Sequence, residues 1–337
     1  MVKLRLISDV HYTDGINASK YKTKTHSPFG HYFATHSPFG HYFAKELAKE
    51  KDCITLIAGD IAEGSVRQKN FFETYFPNQT VIFTEGNHLV YDLQESILPK
   101  IKKNLKKSFP IFSGNYHYLE NDWMFIPGTN QEVAVIGSTF YTDYEYCNFT
   151  VDEYNESQSA WDTWSILYGL PTQPTAPINH LTKTLIRKEN MFRAGMYLND
   201  FRWGRTSENE SLNPSDYLSY HKKAKKEIKR CYNQILEYGP NIKIILMTHH
   251  CLSPKCIDDE YVKSKINASY VSNLEDWIDT MPNIRLVLSG HVHCRKDLII
   301  GKNNTRYIIN ACGYIPRNEP FKAPKFNPNL IIDTNNL

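Results

Sequence analysis

Five short apolar runs, each ending in a polar motif, restrict what this chain can fold into. LRLIS leads into Asp9-Val10-His11, CITLIA into Gly59-Asp60, TVIFTE into Gly86-Asn87-His88, IKIILMT into His249-His250, and RLVLS into Gly290-His291-Val292-His293. Short β-branched and aliphatic runs of this kind read as buried parallel strands, and open α/β sheets place their ligands at the carboxyl ends of such strands. The five runs therefore point their chemistry at one rim. A rim that gathers two Asp, an Asn and several His is built to hold more than one divalent cation. Imidazole and carboxylate donors suit manganese, with iron or zinc as alternatives, and the lack of thiolates at these positions argues against a closed structural zinc cage. A lone His after a strand is usually a satisfied polar residue; the whole ordered set is what carries the reading.

In that order, D-x-H, G-D, G-N-H, H and G-H-x-H, the chain resembles the calcineurin-like metallophosphoesterases. The resemblance implies an α/β fold of two mixed β-sheets packed as a sandwich flanked by helices, where pattern alone gives only α/β. It implies that Asp9, His11 and His293 hold one metal, that Asn87, His249 and His291 hold a second, and that Asp60 bridges the two. His88 then stands outside the metals as the catalytic group facing substrate. Of the adjacent pair, the resemblance makes His249 the ligand; sequence alone leaves His250 open as the alternative, and otherwise it is a candidate for substrate binding. The implied reaction is hydrolysis of a phosphoester by in-line attack of a water activated between the two ions. Glu63, where many relatives carry Asp, and Leu89, where an acidic residue is common, depart from the family pattern and bear on substrate choice.

The resemblance extends more weakly to Val135–Thr139, Asn199–Arg202 and Asn310–Tyr314. Asn199, Asp200 and Arg202 form a polar cluster, in which Asn199 and Arg202 are candidates for substrate binding because a guanidinium fork matches a phosphate. A structural ion pair for Arg202 is the competing reading.

The 337 residues, 41% of them hydrophobic, suffice for one domain spanning 1–337 with insertions. The first insertion, 12–45, contains a perfect tandem duplication, THSPFGHYFA at 25–34 and again at 35–44. Two copies of a ten-residue unit are not a solenoid, and a lengthened surface loop costs little closure entropy. Its aromatic residues Phe29, Tyr32, Phe39 and Tyr42 offer a lid or stacking wall as the functional alternative. The second insertion, about 141–220, is aromatic and cap-like, with Trp161, Trp164, Tyr168, Tyr197, Phe201 and Trp203, and with Pro171, Pro174 and Pro177 marking a loop.

A formal charge of +3 is too small to imply nucleic acid. The lysines of KKAKKEIKR lie opposite a helical stripe of Ala224, Ile228, Cys231, Ile235 and Leu236, and so read as a solvated face. A small phosphorylated substrate, a phosphodiester or a nucleotide, is favoured. A nuclease, a phosphomonoesterase or protein phosphatase, and a catalytically weak binding scaffold are the alternatives, and no ligand is missing that would favour the scaffold. Seven cysteines without a C-x-x-C pair read as reduced thiols, including buried roles for Cys294 and Cys312. The first strand begins too near the amino terminus for a signal peptide, and no apolar stretch spans a bilayer, so a cytoplasmic location without membrane attachment is expected.

Overall fold

The computed structural model describes residues 2–12, 52–91, 97–111, 114–167, 177–313 and 326–337. The duplicated loop, with its aromatics, lies outside them, as do Tyr168, Pro171, Pro174 and Tyr314. The five predicted runs are all strands: β1 (Lys3–Ile7), β2 (Ile54–Ala58), β3 (Val81–Thr84), β7 (Lys243–Thr248) and β8 (Ile284–Ser289). Between them come β4 (Tyr116–Tyr118), β5 (Asp122–Phe125) and β6 (Val133–Ser138), and after them β9 (Arg295–Ile300), β10 (Thr305–Asn310) and β11 (Ile331–Asp333).

They do not form one sheet. Five strands run in the order β11-β1-β2-β3-β4 and six in the order β5-β6-β7-β8-β10-β9. Each sheet is parallel within and antiparallel at one or both edges, which makes both of them mixed. The single rim expected from sequence is thus two rims brought together, with the first three motifs on one sheet and the last two on the other.

Alternation along the strands builds the sandwich. Leu4, Leu6, Leu56 and Ile82 face inward against Val135, Ile245, Met247, Leu286 and Leu288 of the second sheet. Their strand neighbours Ile7, Ile57, Val81 and Phe83 face outward, where they pack with residues of α1 (Ser65–Tyr75) and α2 (Leu98–Ser108). The period of two thus sends the residues of the central strands alternately to the inner and outer cores, and these strands read as continuous apolar runs because both faces are covered.

Between β6 and β7 the chain forms α3 (Val151–Leu167), α4 (Lys183–Tyr197), the short α5 (Asp200–Trp203) and the long α6 (Pro214–Tyr238). A capping box starts α6: Asn213 Oδ1 accepts from the Ser215 N–H at 2.9 Å while Asp216 Oδ2 accepts from the Asn213 N–H at 2.9 Å. Its predicted stripe, Ala224, Ile228, Cys231 and Ile235, is buried against the second sheet, with Leu236 partly buried beside it. Lys222, Lys223 and Lys226 are exposed, as a solvated face requires. Of the insertion's aromatics, Phe201 packs against the core outside the first sheet, Trp161 packs on Phe192, and Trp203 stays half-exposed. Among the described residues no helix is long and apolar enough to cross a membrane. Cys294 and Cys312 are buried as expected.

The two sheets are stitched where β1 meets β10. The Ser8 N–H donates to the Asn310 carbonyl at 3.1 Å and the Cys312 N–H to the Ser8 carbonyl at 2.9 Å. Asn310, fully buried, donates from Nδ2 to the carbonyls of Leu6 and Asn327, each at 2.8 Å, and accepts the Asn327 N–H at 2.9 Å. Replacing Asn310 with Ala strands these buried backbone groups, and an unsatisfied buried group costs about 1–3 kcal/mol. We expect Asn310→Ala to lower the denaturant midpoint and to loosen the tail bearing β11, read as faster amide exchange at Asn327.

Candidate metal centre

Directly after the strands the backbone turns back on itself. Asp9, His11, Asp60, His291 and His293 have φ of 53°, 46°, 47°, 69° and 46°. Only a few per cent of non-glycine residues take this left-handed conformation, at on the order of 1–3 kcal/mol each. Five such residues at one place are held there by main-chain bonds between the loops. The Asp9 N–H donates to Gly59 O at 3.1 Å, His11 to Asp60 at 2.9 Å, Gly290 to His249 at 2.9 Å and Gly313 to Asp9 at 2.9 Å.

The motif glycines have a steric reason. A Cβ at Gly86 would stand 1.9 Å from Asp60 Oδ1, and one at Gly290 would stand 2.5 Å from Asp9 Oδ2. Main chain therefore presses directly against both carboxylates, and adjacent N–H groups bind them: His88 N–H donates to Asp60 Oδ1 at 3.0 Å and His291 N–H to Asp9 Oδ1 at 2.7 Å. The second oxygen of each, Asp9 Oδ2 and Asp60 Oδ2, is buried without a hydrogen bond, as is His291 Nε2. Buried polar atoms are nearly always satisfied, so three orphans in one place mark a site for a ligand.

The donors fall into two groups that share Asp60. Ligand atoms of Asp9, His11, Asp60 and His293 lie within 4.8 Å of one another, and so do those of Asp60, His249 and His291. His11 Nε2 and His293 Nε2 face each other at 2.9 Å. Asn87 Oδ1 stands 3.0 Å from His249 Nε2, which places it in the second group. The N–H at His249 Nδ1 donates to Ala58 O at 3.1 Å, which fixes the tautomer and turns Nε2 toward Asp60 Oδ2, 3.3 Å away. Metal-binding histidines are oriented in this way through their other nitrogen. The donor set fits two divalent cations that share one carboxylate.

Electrostatics agree. Burial would raise the Asp60 pKa, yet His249, His88 and His11 hold it well below the ordinary carboxylate value. Burial opposes charge on His249 too, but Asp60 outweighs it and lifts that imidazole to about 9. His11 and His291 are pushed well down, first by burial and then by neighbouring imidazoles. Without a cation, His249 supplies the positive charge that this carboxylate needs.

The four residues expected around the metals divide. His88 is at the site: its ring lies 4.6 Å from that of His11, and its Nε2 is 3.9 Å from Asp60 Oδ2. His250 is buried beside His291, ring centroids 4.3 Å apart, with Nδ1 3.3 Å from Thr139 O. Burial, then His249, depresses it to about 3. Asn199 precedes α5, and Arg202 is exposed, donating to Met196 O at 3.2 Å and to Asn199 Oδ1 at 3.5 Å. Arg202 thus closes the end of α4, and among the described residues it makes no ion pair with an acidic side chain. Glu63 pairs with Arg67 at 3.1 Å, and Leu89 is core. Two residues that the motifs do not mark also stand here: Tyr270, stacked on His291 at 4.6 Å, and Asp200.

The profile of the calcineurin-like phosphoesterases matches residues 2–295, and the chain belongs to that family. Metal-dependent phosphoester hydrolysis comes with that membership, and the structure carries two Asp and His clusters that could hold metal ions. No curated protein matches the chain.

Gly86→Ala is expected to abolish divalent-metal uptake, read by titration calorimetry, because its Cβ has no room beside Asp60. For the metal-free protein, stability should fall on both sides of neutrality. His250 is depressed when folded, so its contribution is present above the unfolded value of about 6.5 and is lost as pH falls from there toward about 3. His11 and His291 act in the same direction. His249 is raised when folded, so its contribution is complete below about 6.5 and is lost as pH rises through about 9. Thermal melts from pH 5 to 10 check both limbs, and His250→Asn should flatten only the acid one.

Proposed function

We propose that the protein is a dinuclear-metal-dependent phosphodiesterase acting on a small diester or nucleotide-type substrate. The observation that carries the proposal is the pair of donor groups sharing Asp60. Asp9, His11 and His293 would hold one cation and Asn87, His249 and His291 the other, with Asp60 common to both. Manganese suits these oxygen and imidazole donors, with iron or zinc as alternatives. When bound, such ions would supply an activated water and would neutralise charge on the phosphoryl oxygens.

The chain's own groups do the rest. Ala58 O keeps the His249 proton on Nδ1, so Nε2 is available as a donor atom. Main-chain N–H groups of His88 and His291 fix which carboxylate oxygens face the centre. His88, partly exposed with Nε2 3.9 Å from Asp60 Oδ2, would hold a proton at Nε2 for the leaving oxygen. Among the described residues, the charged groups acting most strongly on His11, His88, His249 and His291 are Asp9, Asp60, Asp200, His250, His293 and one another.

Protein stripped of metal and reloaded with manganese should release p-nitrophenol from bis-p-nitrophenyl phosphate faster than from p-nitrophenyl phosphate, and Asp60→Ala should abolish release from both. The reverse preference would overturn the diester reading, and metal-independent release would overturn the mechanism. For a substrate with a poor leaving group, such as a phenyl ester, His88→Ala should slow turnover by about 10²–10⁴-fold, the range of general acid catalysis, while metal content stays unchanged.

A further inference from the structure

Asp200 is a buried carboxylate, 2% exposed, that forms no ion pair among the described residues. Its oxygens are divided between two phenols: Tyr91 OH donates to Oδ2 at 2.9 Å and Tyr217 OH to Oδ1 at 2.8 Å. Burying an anion on two neutral donors is expensive, and an apolar side chain would serve packing better. Tyr217 is itself fixed, stacked on Tyr141 with centroids 3.9 Å apart and flanked by Phe201 at 4.9 Å, so Asp200 is a stiff anchor.

Tyr91 lies at the end of the 3₁₀ turn Asn87–Tyr91, three residues after His88. Side chains three apart eclipse in a 3₁₀ turn, and these two rings pack with centroids 4.2 Å apart. The His11 ring meets that of His88 edge-on at 4.6 Å. The His88 imidazole therefore packs against both a residue of the metal centre and a tyrosine whose hydroxyl is tied to the insertion between β6 and β7.

We infer that Asp200, acting through Tyr91, is the positioning residue for His88, and that it aims the imidazole at the leaving-group oxygen. This rests on the proposed hydrolytic function and on His88 as its proton donor. Positioning of this kind should matter most where the leaving group depends most on a proton. It should not matter for the donor groups around Asp60, none of which Asp200 contacts.

The test uses metal-loaded full-length protein and a series of aryl phosphoesters from p-nitrophenyl to unsubstituted phenyl. Asp200→Asn and Tyr91→Phe should each lower kcat for the phenyl ester about tenfold more than kcat for the p-nitrophenyl ester, a fraction of the loss expected for His88→Ala. Bound metal per chain and KM should not change, and the double variant should lose no more than the worse single one, as expected for residues acting in one chain. Tyr217→Phe leaves the Tyr91–Asp200 bond in place and should steepen the series less than Tyr91→Phe does. In the zinc-loaded protein, the His88 ring-proton resonances, assigned by their absence in His88→Ala, should move in Asp200→Asn and Tyr91→Phe and move less in Tyr217→Phe.

Equal losses across the series, a Tyr217→Phe variant as steep as Tyr91→Phe, or unmoved His88 resonances would overturn the inference. Failure of the unaltered protein to hydrolyse any ester would count instead against the proposed function, and the resonance arm would then decide the positioning role alone.

Discussion

Two carboxylates, Asp9 and Asp60, are buried where two sheets meet, and nearly everything around them follows from that choice. A charged carboxylate taken out of water costs several kcal/mol unless it is compensated. Here the compensation is layered. One oxygen of each takes a main-chain N–H, and the other is left for a positive group. For the N–H groups to reach, glycine must replace any side chain at 86 and 290, and Asp9, Asp60 and His291 take left-handed backbone beside them. Strain at the five Asp and His residues is thus the local consequence of packing main chain against charge. The inter-loop hydrogen bonds and the rigid strands beneath keep it in place.

The sandwich makes such crowding feasible. Loops that leave a single sheet diverge sideways, whereas loops from the ends of two stacked sheets face each other. β1 brings Asp9 and His11 to the boundary, and the bonds of Ser8 and Asn310 lock it to β10 of the opposite sheet. His249 and His291 then arrive from across the seam, and Asp60, the carboxylate common to both donor groups, comes from the strand next to β1. Neither sheet alone carries a complete donor group.

Much of this was legible from residue types. Apolar runs ending in polar motifs located the five strands and the rim, since both depend on a few adjacent residues. The stripe on α6 was equally local, and the structure buries Ala224, Ile228, Cys231 and Ile235 as the spacing required. How the strands divide between two sheets was not legible, because a strand buried on both faces looks the same whichever neighbour it has. Left-handed Asp9 and His293 were invisible for a similar reason: the strain comes from contacts more than two hundred residues distant, not from local preference. At Arg202 residue type alone left a phosphate and a structural partner both open, and in the structure its partners are the Met196 carbonyl and the Asn199 side-chain oxygen.

Asp200 belongs to a different level of organisation from the motifs. It sits 109 residues from Tyr91 in an insertion that no metal donor occupies, and its partners are phenols rather than cations. Metal donors are constrained by ion geometry and tolerate few alternatives, so they leave a pattern in sequence. A residue that orients a donor's neighbour is constrained only by the shape of the gap it fills, and many side-chain pairs can fill such a gap. Substrate preference among proteins sharing one metal centre should therefore be written in insertions like that between β6 and β7, where Tyr91, Asp200 and Tyr217 join the cap to the His88 ring. The metal motifs state what kind of bond is broken, and the contacts of this insertion bear on whose.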